Sequence, residues 1–492
     1  MQYRETTPPV EKAYLKALVA ILLGSISVIL AVSLAQYEMK SLFVVSVVLV
    51  GMVFVLYFAT EQGFARWALI FLGLGIPFNL DINLFYRVYV GVTSVDIGMT
   101  LICAVILYAL FFYQHVREGE GPLFRYNKLL VWAPLLYIGA GFLSFYNASS
   151  PTLVVLELVR LAMLFLILFI IMNLRKREQL TTFLISLAIG VIMESAIAYY
   201  QFKTGRALGL SVVGETLAPI GYGYHTRAGG TIGHPNIMAY YFEMLVPLML
   251  AMLMAEERGW LKAFYLAATI AGLVGMYTTQ SRGSWITIPL SLPLVFIVMY
   301  SRRLRQARSW AMLVPGLLIT ALLFLLILPT IRHRLSFEDV AARSRIPLNR
   351  AAFSIVKQFP VTGVGLNNLA RVFRTYDTTG GSAVFSTEGD VAHIVHNVYL
   401  WVWAETGTIG LAAFAGIFIS AFYVGFKYLF KVDIWQRGIL IGAVCGLLAQ
   451  AIHGFVDPGF RILMSTSMLF YSLIGIIGAI AVNYGNNNNN KK

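Results

Sequence analysis

Charge is what this 492-residue chain has least of. Asp, Glu, Lys and Arg together make up 12% of it, where a soluble domain carries about 25%. A surface so poor in charge excludes an ordinary water-soluble globule. Cysteine is nearly missing too: Cys103 and Cys445 are the only two, both inside apolar runs, which excludes a disulfide framework and a thiolate metal site. The sequence also lacks a P-loop, zinc-ligand spacing, a G-x-S-x-G elbow and paired carboxylates at the outer helix ends, so no metal and no cofactor is expected. Positive charge exceeds negative, with a net charge of +14. Those cations are scattered at the ends of apolar runs and form no single basic face, so orientation in anionic lipid explains them and a nucleic-acid partner is not expected.

What the chain does have is apolar length. It is 59% hydrophobic with a mean hydropathy of +0.75. Runs of roughly 20 apolar residues can cross a hydrocarbon core of about 30 Å as helices, and no barrel-like alternation appears. The expected fold is an all-α polytopic membrane protein of about 14 transmembrane helices. Spans are placed near 14–35, 41–60, 66–80, 96–115, 129–146, 152–174, 180–202, 236–255, 260–280, 284–300, 310–330, 408–430, 438–456 and 462–483. Residues 1–16 carry acids beside their cations and precede no cleavage pattern, so the first helix is read as retained.

Orientation follows from the cations. With a cytoplasmic N-terminus, the clusters Arg117/Arg125/Lys128, Arg175/Lys176/Arg177, Arg258/Lys262, Arg302/Arg303/Arg305/Arg308 and Lys431/Arg437 all fall inside. Two long loops, 203–235 and 331–395, then face outward, the second being a large extracytoplasmic loop. The chain thus divides into N-terminal helices (1–202), a first outer loop (203–235), central helices (236–330), the large loop (331–395), C-terminal helices (396–483) and an Asn-rich cytoplasmic tail (484–492) read as disordered. Within the large loop, Asn349 to Phe359 sets Ala352, Phe353, Val356 and Phe359 against Arg350, Ser354 and Lys357, the pattern of an interfacial amphipathic helix that Pro360 would end.

Polar chemistry gathers at three outward positions. His225-Thr226-Arg227-Ala228-Gly229-Gly230-Thr231-Ile232-Gly233-His234-Pro235-Asn236 puts an arginine, two histidines and an asparagine at a helix entrance. Exposed N–H groups in such a run suit an anion; alternatively the glycines shape a turn and Asn236 caps the helix. Arg282, in Ser281-Arg282-Gly283, sits between apolar helices with no acid nearby in sequence. It is either a phosphate ligand or an arginine reaching for lipid headgroups. The third cluster is His393-Ile394-Val395-His396-Asn397 and continues to Glu405-Thr406-Gly407. Its imidazoles are either proton acceptors or hydrogen-bonded structural groups. Glu157, Arg160, Glu194 and Glu243 lie within spans and must point into the bundle, as structural pairs or as a solute path.

Arg227 with Gly233-His234-Pro235-Asn236, then Ser281-Arg282-Gly283, Arg350 before Phe359-Pro360-Val361-Thr362-Gly363-Val364-Gly365, and His396-Asn397-Val398-Tyr399-Leu400 with Glu405-Thr406-Gly407 resemble the bacterial O-antigen ligase and O-antigen polymerase superfamily. The likeness runs from about 225 to 411. It implies a glycosyltransferase of GT-C-type architecture, inverting and metal-independent, in the cytoplasmic (inner) membrane. Such an enzyme transfers a glycan from undecaprenyl pyrophosphate to a hydroxyl of a glycan, lipid or protein acceptor on the extracytoplasmic side. The resemblance assigns Arg227 and Arg282 to the pyrophosphate, Arg350 to assistance from the loop helix, His396 to the acceptor hydroxyl, and His234, Asn236, Asn397 and Glu405 to support of the site. A solute transporter, a protein O-oligosaccharyltransferase and a cell-wall glycan polymerase are the competing readings.

Overall fold

The computed structural model describes residues 61–78, 81–84, 92, 94–118, 122–210, 214–215, 227–301, 314, 318, 325, 345–376 and 395–489. The spans expected at 14–35 and 41–60, the bulk of that at 310–330, and the residues His225 and His393 lie outside them.

Ten described helices are long and apolar enough to cross a membrane. The protein is a multi-pass membrane protein, and these ten match ten of the spans read from the sequence. In chain order the elements are α1 (Glu61–Leu74), β1 (Asp81–Leu84), β2 (Val95–Gly98), α2 (Met99–Glu118), α3 (Lys128–Leu143), α4 (Pro151–Met172), α5 (Arg177–Thr204), α6 (Pro235–Ala255), α7 (Gly259–Thr279), α8 (Arg282–Tyr300), α9 (Arg345–Gln358), α10 (Leu369–Tyr376), α11 (Val398–Leu429), α12 (Ile434–His453), α13 (Gly459–Ile462) and α14 (Met464–Asn489). The all-α expectation needs one amendment, the antiparallel hairpin β1–β2. The expected span at 66–80 falls on α1, whose apolar part, Gly63–Leu74, is shorter than the other ten.

The chain divides into two compact units, one of residues 1–68 with 105–123, the other of residues 69–104 with 124–492. The first contains the opening part of α1 and the later part of α2. All that follows concerns the second.

Helix ends are set by local chemistry. Pro151 and Pro235 occupy first turns, where the missing N–H costs nothing. Asp433 caps α12 by accepting from Gln436 N at 2.8 Å. Gly205, at φ 65°, ends α5 in the left-handed region. In the middle of the bundle α6 packs mainly on α12 and α7, and α14 on α4. Gly438, Gly442 and Gly446 line the α12 face toward α6; a Cβ at Gly442 would lie 2.5 Å from Leu248 Cα, and one at Gly446 2.5 Å from Met244 O. Small residues every fourth position let two helices approach closely where lipid gives no hydrophobic drive.

Two boundaries differ from expectation. α11 begins at Val398, ten residues before the expected span, and carries a break at Gly407, with φ 65° and ψ −169°. The loop Phe359 to Gly365 seats on that break: Val364 N donates to Ala404 O at 3.0 Å, Gly365 N to Glu405 O at 3.0 Å and Thr408 N to Pro360 O at 2.8 Å. Second, α14 continues through Asn489, into the tail expected to be disordered, since asparagine and glycine weaken a helix but, unlike proline, keep its backbone donors.

α9 forms where the amphipathic pattern predicts and ends before Pro360. Its buried face is Leu348, Ala351, Ala352, Ile355 and Val356, packed with Trp401 and Ala404. Phe353, assigned to the apolar face from the sequence, is instead exposed beneath Lys357, whose Nζ lies 5.1 Å from its ring centroid.

Candidate functional site

The glycine-rich run before α6 is fastened to α5. Gln201 Oε1 accepts from Gly229 N at 3.2 Å and Gly230 N at 2.9 Å, while Glu194 accepts from the backbone of Thr231 at 3.1 Å and from its hydroxyl. These N–H groups are consumed internally, which corrects the expectation that they face an anion. Gly230 is glycine because its φ is 59° and a Cβ would lie 2.3 Å from Glu194 Oε2. The clamp fixes the chain that follows Arg227.

Arg227 bridges two elements. Its Nε donates to Thr279 O at 2.8 Å, at the α7–α8 turn, and Nη2 donates to Asn236 Oδ1 in the first turn of α6. Asn236 Nδ2 in turn donates to Asp457 Oδ2 at 3.2 Å. The same oxygen meets His396 Nδ1 at 3.3 Å and Arg345 Nη2 at 3.9 Å. A chain of polar contacts therefore runs Arg227, Asn236, Asp457, His396 across the ends of four elements. Arg282 opens α8 three residues after Thr279; beside it, Gly283 lies flat against His453, where a Cβ would come 1.9 Å from Nε2. His453 O accepts from Asp457 N at 3.1 Å, so the first turn of α8 adjoins the same cluster.

Asp457 is the centre, and sequence reading missed it. The acid is 4% exposed, and its carbonyl accepts from the Tyr240 hydroxyl. Tyr240 stacks on His453 at 4.1 Å, and His453 Nδ1 faces Glu243 Oε1 at 2.9 Å. Burial alone would raise the Asp457 carboxyl. The His396 hydrogen bond and the charges of His453, His396 and Arg345 outweigh it and hold the pKa below the ordinary aspartate value. Although His234 keeps an exposed edge, the protein packed round its ring lowers its pKa; Arg227 and His396 act in the same direction and Asp457 opposes them. His234 Nδ1 accepts from Asn236 N at 3.2 Å as the cap of α6.

Three expected residues stand apart from this cluster. Arg350 is exposed on α9, and the arginine of that helix which meets Asp457 is Arg345, whose Nη1 also donates to Val456 O at 3.0 Å. Five residues at 3.6 per turn put Arg350 about 140° round the helix from Arg345. Asn397 caps α11, accepting from Leu400 N at 3.0 Å. Glu405 is 1% exposed and receives Arg461 Nη2 at 2.5 Å, in a buried set with Glu157 and Arg160. Glu157 binds Arg160 through two contacts, of 2.7 and 2.9 Å, and Arg160 Nη1 donates to Arg461 O at 2.8 Å. The intramembrane acids and Arg160 thus each hold a protein partner.

Residues 267–415 match the O-antigen ligase family model. The match supports the O-antigen ligase superfamily and O-antigen ligase-type function. It covers α8, α9 and the start of α11, and with them Arg282, Arg345, Arg350, His396, Asn397 and Glu405. Arg227, His234, Asn236 and Asp457 lie outside the O-antigen ligase match and reach it through the contacts above. No curated protein matches the sequence.

Proposed function

We propose that the chain is an inverting, metal-independent glycosyltransferase that moves a glycan from undecaprenyl pyrophosphate to an acceptor hydroxyl outside the cytoplasmic membrane. The acceptor oxygen attacks the anomeric carbon from the face opposite the pyrophosphate, and the bond to the leaving oxygen breaks with its electron pair. The carbanion-free displacement leaves negative charge on the pyrophosphate, where fixed guanidinium groups stabilise it. Arg227 and Arg282 take that role. His396 takes the hydroxyl proton: with Nδ1–H donated to Asp457, the lone pair stands on Nε2, and the carboxylate offsets the imidazolium that forms. Asp457 is a positioning residue, and Arg345 takes the assisting role that the resemblance gives to Arg350.

The observation that supports this reading is the contact chain from Arg227 to His396 through Asn236 and Asp457, its His396 end lying inside the O-antigen ligase match. Surface glycan from cells expressing His396→Ala, Arg282→Ala or Arg227→Ala tests it. Each variant should reach the membrane in normal amount and reduce transfer about 10²-fold or more. Unchanged glycan in the His396 and Arg282 variants would overturn the assignment. A ligase acting on a lipid acceptor is distinguished from a polymerase by the product: capped acceptor lipid in one case, lengthened lipid-linked chain in the other.

A further inference from the structure

We propose that Asp81 and Asp96, with the Ser465 hydroxyl, form a site for a hard divalent cation beneath the β1–β2 hairpin, separate from the Asp457 cluster. In the hairpin register Asp81 pairs with Gly98 and Asn83 with Asp96. Residues two apart on a strand share a face, so both carboxylates stand on the same side as diagonal neighbours, about 7–8 Å apart at the backbone. Gly98, opposite Asp81, puts no side chain between them. That face, the turn after α1 and the first turns of α14 enclose a cavity lined by both aspartates, Phe78, Thr100, Ser465 and Met468, and no basic side chain lines it.

Ser465 supplies the independent sign of a ligand. It is 2% exposed, its Oγ has no hydrogen-bond partner, and it lines this cavity. Its neighbours on the helix behave differently: Ser467 Oγ donates to Phe460 O at 2.8 Å and Ser472 Oγ to Met468 O at 2.7 Å. A buried hydroxyl that bypasses such carbonyls while bordering two acids is placed to offer its lone pairs to a shared partner.

Charge points the same way. Ser94 Oγ donates to Asp96 but brings no positive charge, and Arg160, the cation whose field reaches Asp96, is already held by both oxygens of Glu157. Two carboxylates bordering one enclosed space repel unless one takes a proton or a cation lies between them. Among the described residues the cavity lining contains no His and no Cys, which disfavours a metal that wants nitrogen or sulfur ligands. Calcium accepts carboxylate, hydroxyl, carbonyl and water oxygens in irregular sets of about 6–8, whereas magnesium demands a regular octahedron. An oxygen set of two carboxylates and one hydroxyl, drawn from a hairpin and a helix, fits calcium. A bound ion would tie the hairpin to α14.

Calorimetric titration of Ca²⁺ and Mg²⁺ into the EDTA-stripped full-length protein in detergent tests this. One Ca²⁺ should bind per chain, with Mg²⁺ at least about tenfold weaker. Asp81→Asn and Asp96→Asn should each weaken Ca²⁺ at least about tenfold, Ser465→Ala should weaken it several-fold, and Asp433→Asn, at the distant start of α12, should not. Thermal melting with and without Ca²⁺ reports folding: the ion should raise the midpoint of the natural protein and not that of the aspartate variants. Ser465→Ala, the mildest change, carries the test if an aspartate variant fails to accumulate. Absence of Ca²⁺ binding by the natural protein, or equal binding by the three site variants, would overturn the proposal.

Discussion

Asp457 joins its neighbours through three different groups. The carboxylate receives Asn236 and faces His396 and Arg345, the amide donates to His453, and the carbonyl accepts from Tyr240. Asp457→Asn keeps the shape but presents an amide to His396, disturbing its tautomer, and is expected to cut glycan transfer by about 10²-fold or more while leaving protein level unchanged. The pH dependence has a definite sign. Because its pKa is lower in the folded chain than the ordinary value of about 3.9, the native state binds fewer protons there. The stabilisation is complete above that value and is lost as pH falls through the folded pKa. Melting curves below about pH 5 should therefore show a shallower acid limb for Asp457→Asn than for the natural protein. Arg227, Arg282 and His396 were legible as candidates because an uncompensated cation or an imidazole at the edge of an apolar run is conspicuous, and the family resemblance added Asn236. Asp457 was not, since its partners His396 and Asn236 are 61 and 221 residues away and one acid in a short turn carries no pattern. Distance along the chain also separates Arg345 from Asp457: the resemblance pointed to Arg350 on the loop helix, and only the docking of that helix shows that Arg345 is the arginine that meets the acid.

At the scale of elements, the break in α11 and the loop that seats on it form one piece. Gly407 has φ 65°, and a Cβ there would come 2.0 Å from Val361 O. Gly407→Ala combines a disfavoured backbone with a collision against main chain and should destabilise the protein by more than about 2 kcal/mol, read as a drop in melting midpoint in detergent. Hydropathy placed the span at 408 because Glu405 and the glycine interrupt the apolar run. The preceding turns are nonetheless helical, as α9 covers them and Arg461 neutralises the acid. Removing that cation, in Arg461→Ala, leaves Glu405 buried without its partner and should cost about 3–5 kcal/mol, seen as loss of the protein from membranes. Glu405→Gln, which keeps the shape and removes the charge, separates a supporting role from one in transfer: reduced protein level with normal activity per molecule marks the former.

For the whole molecule, the ten described spans were readable because a bilayer enforces helix length and the absence of exposed backbone polar groups. The hairpin was not readable: its strands are four residues each, at the lower limit of the length over which alternation is a signal. Side assignment is open to a direct measurement. Both natural cysteines are buried, so single cysteines can be introduced on a quiet background. Tyr146→Cys, at a residue 88% exposed in the turn between α3 and α4, should react with a membrane-impermeant maleimide on intact cells. Lys431→Cys, between α11 and α12, should react only after permeabilisation. Reversed labelling would invert the orientation drawn from the positive residues.

The set of Glu157, Arg160, Glu405 and Arg461 contains equal numbers of acids and bases, all buried. Its members come from three separate stretches of chain, and no single exchange that removes a charge preserves neutrality. Charge-removing drift at one position is viable only alongside a matching change at another, and descendants of a common ancestor should keep the quartet or replace it as a block, leaving a co-varying signature.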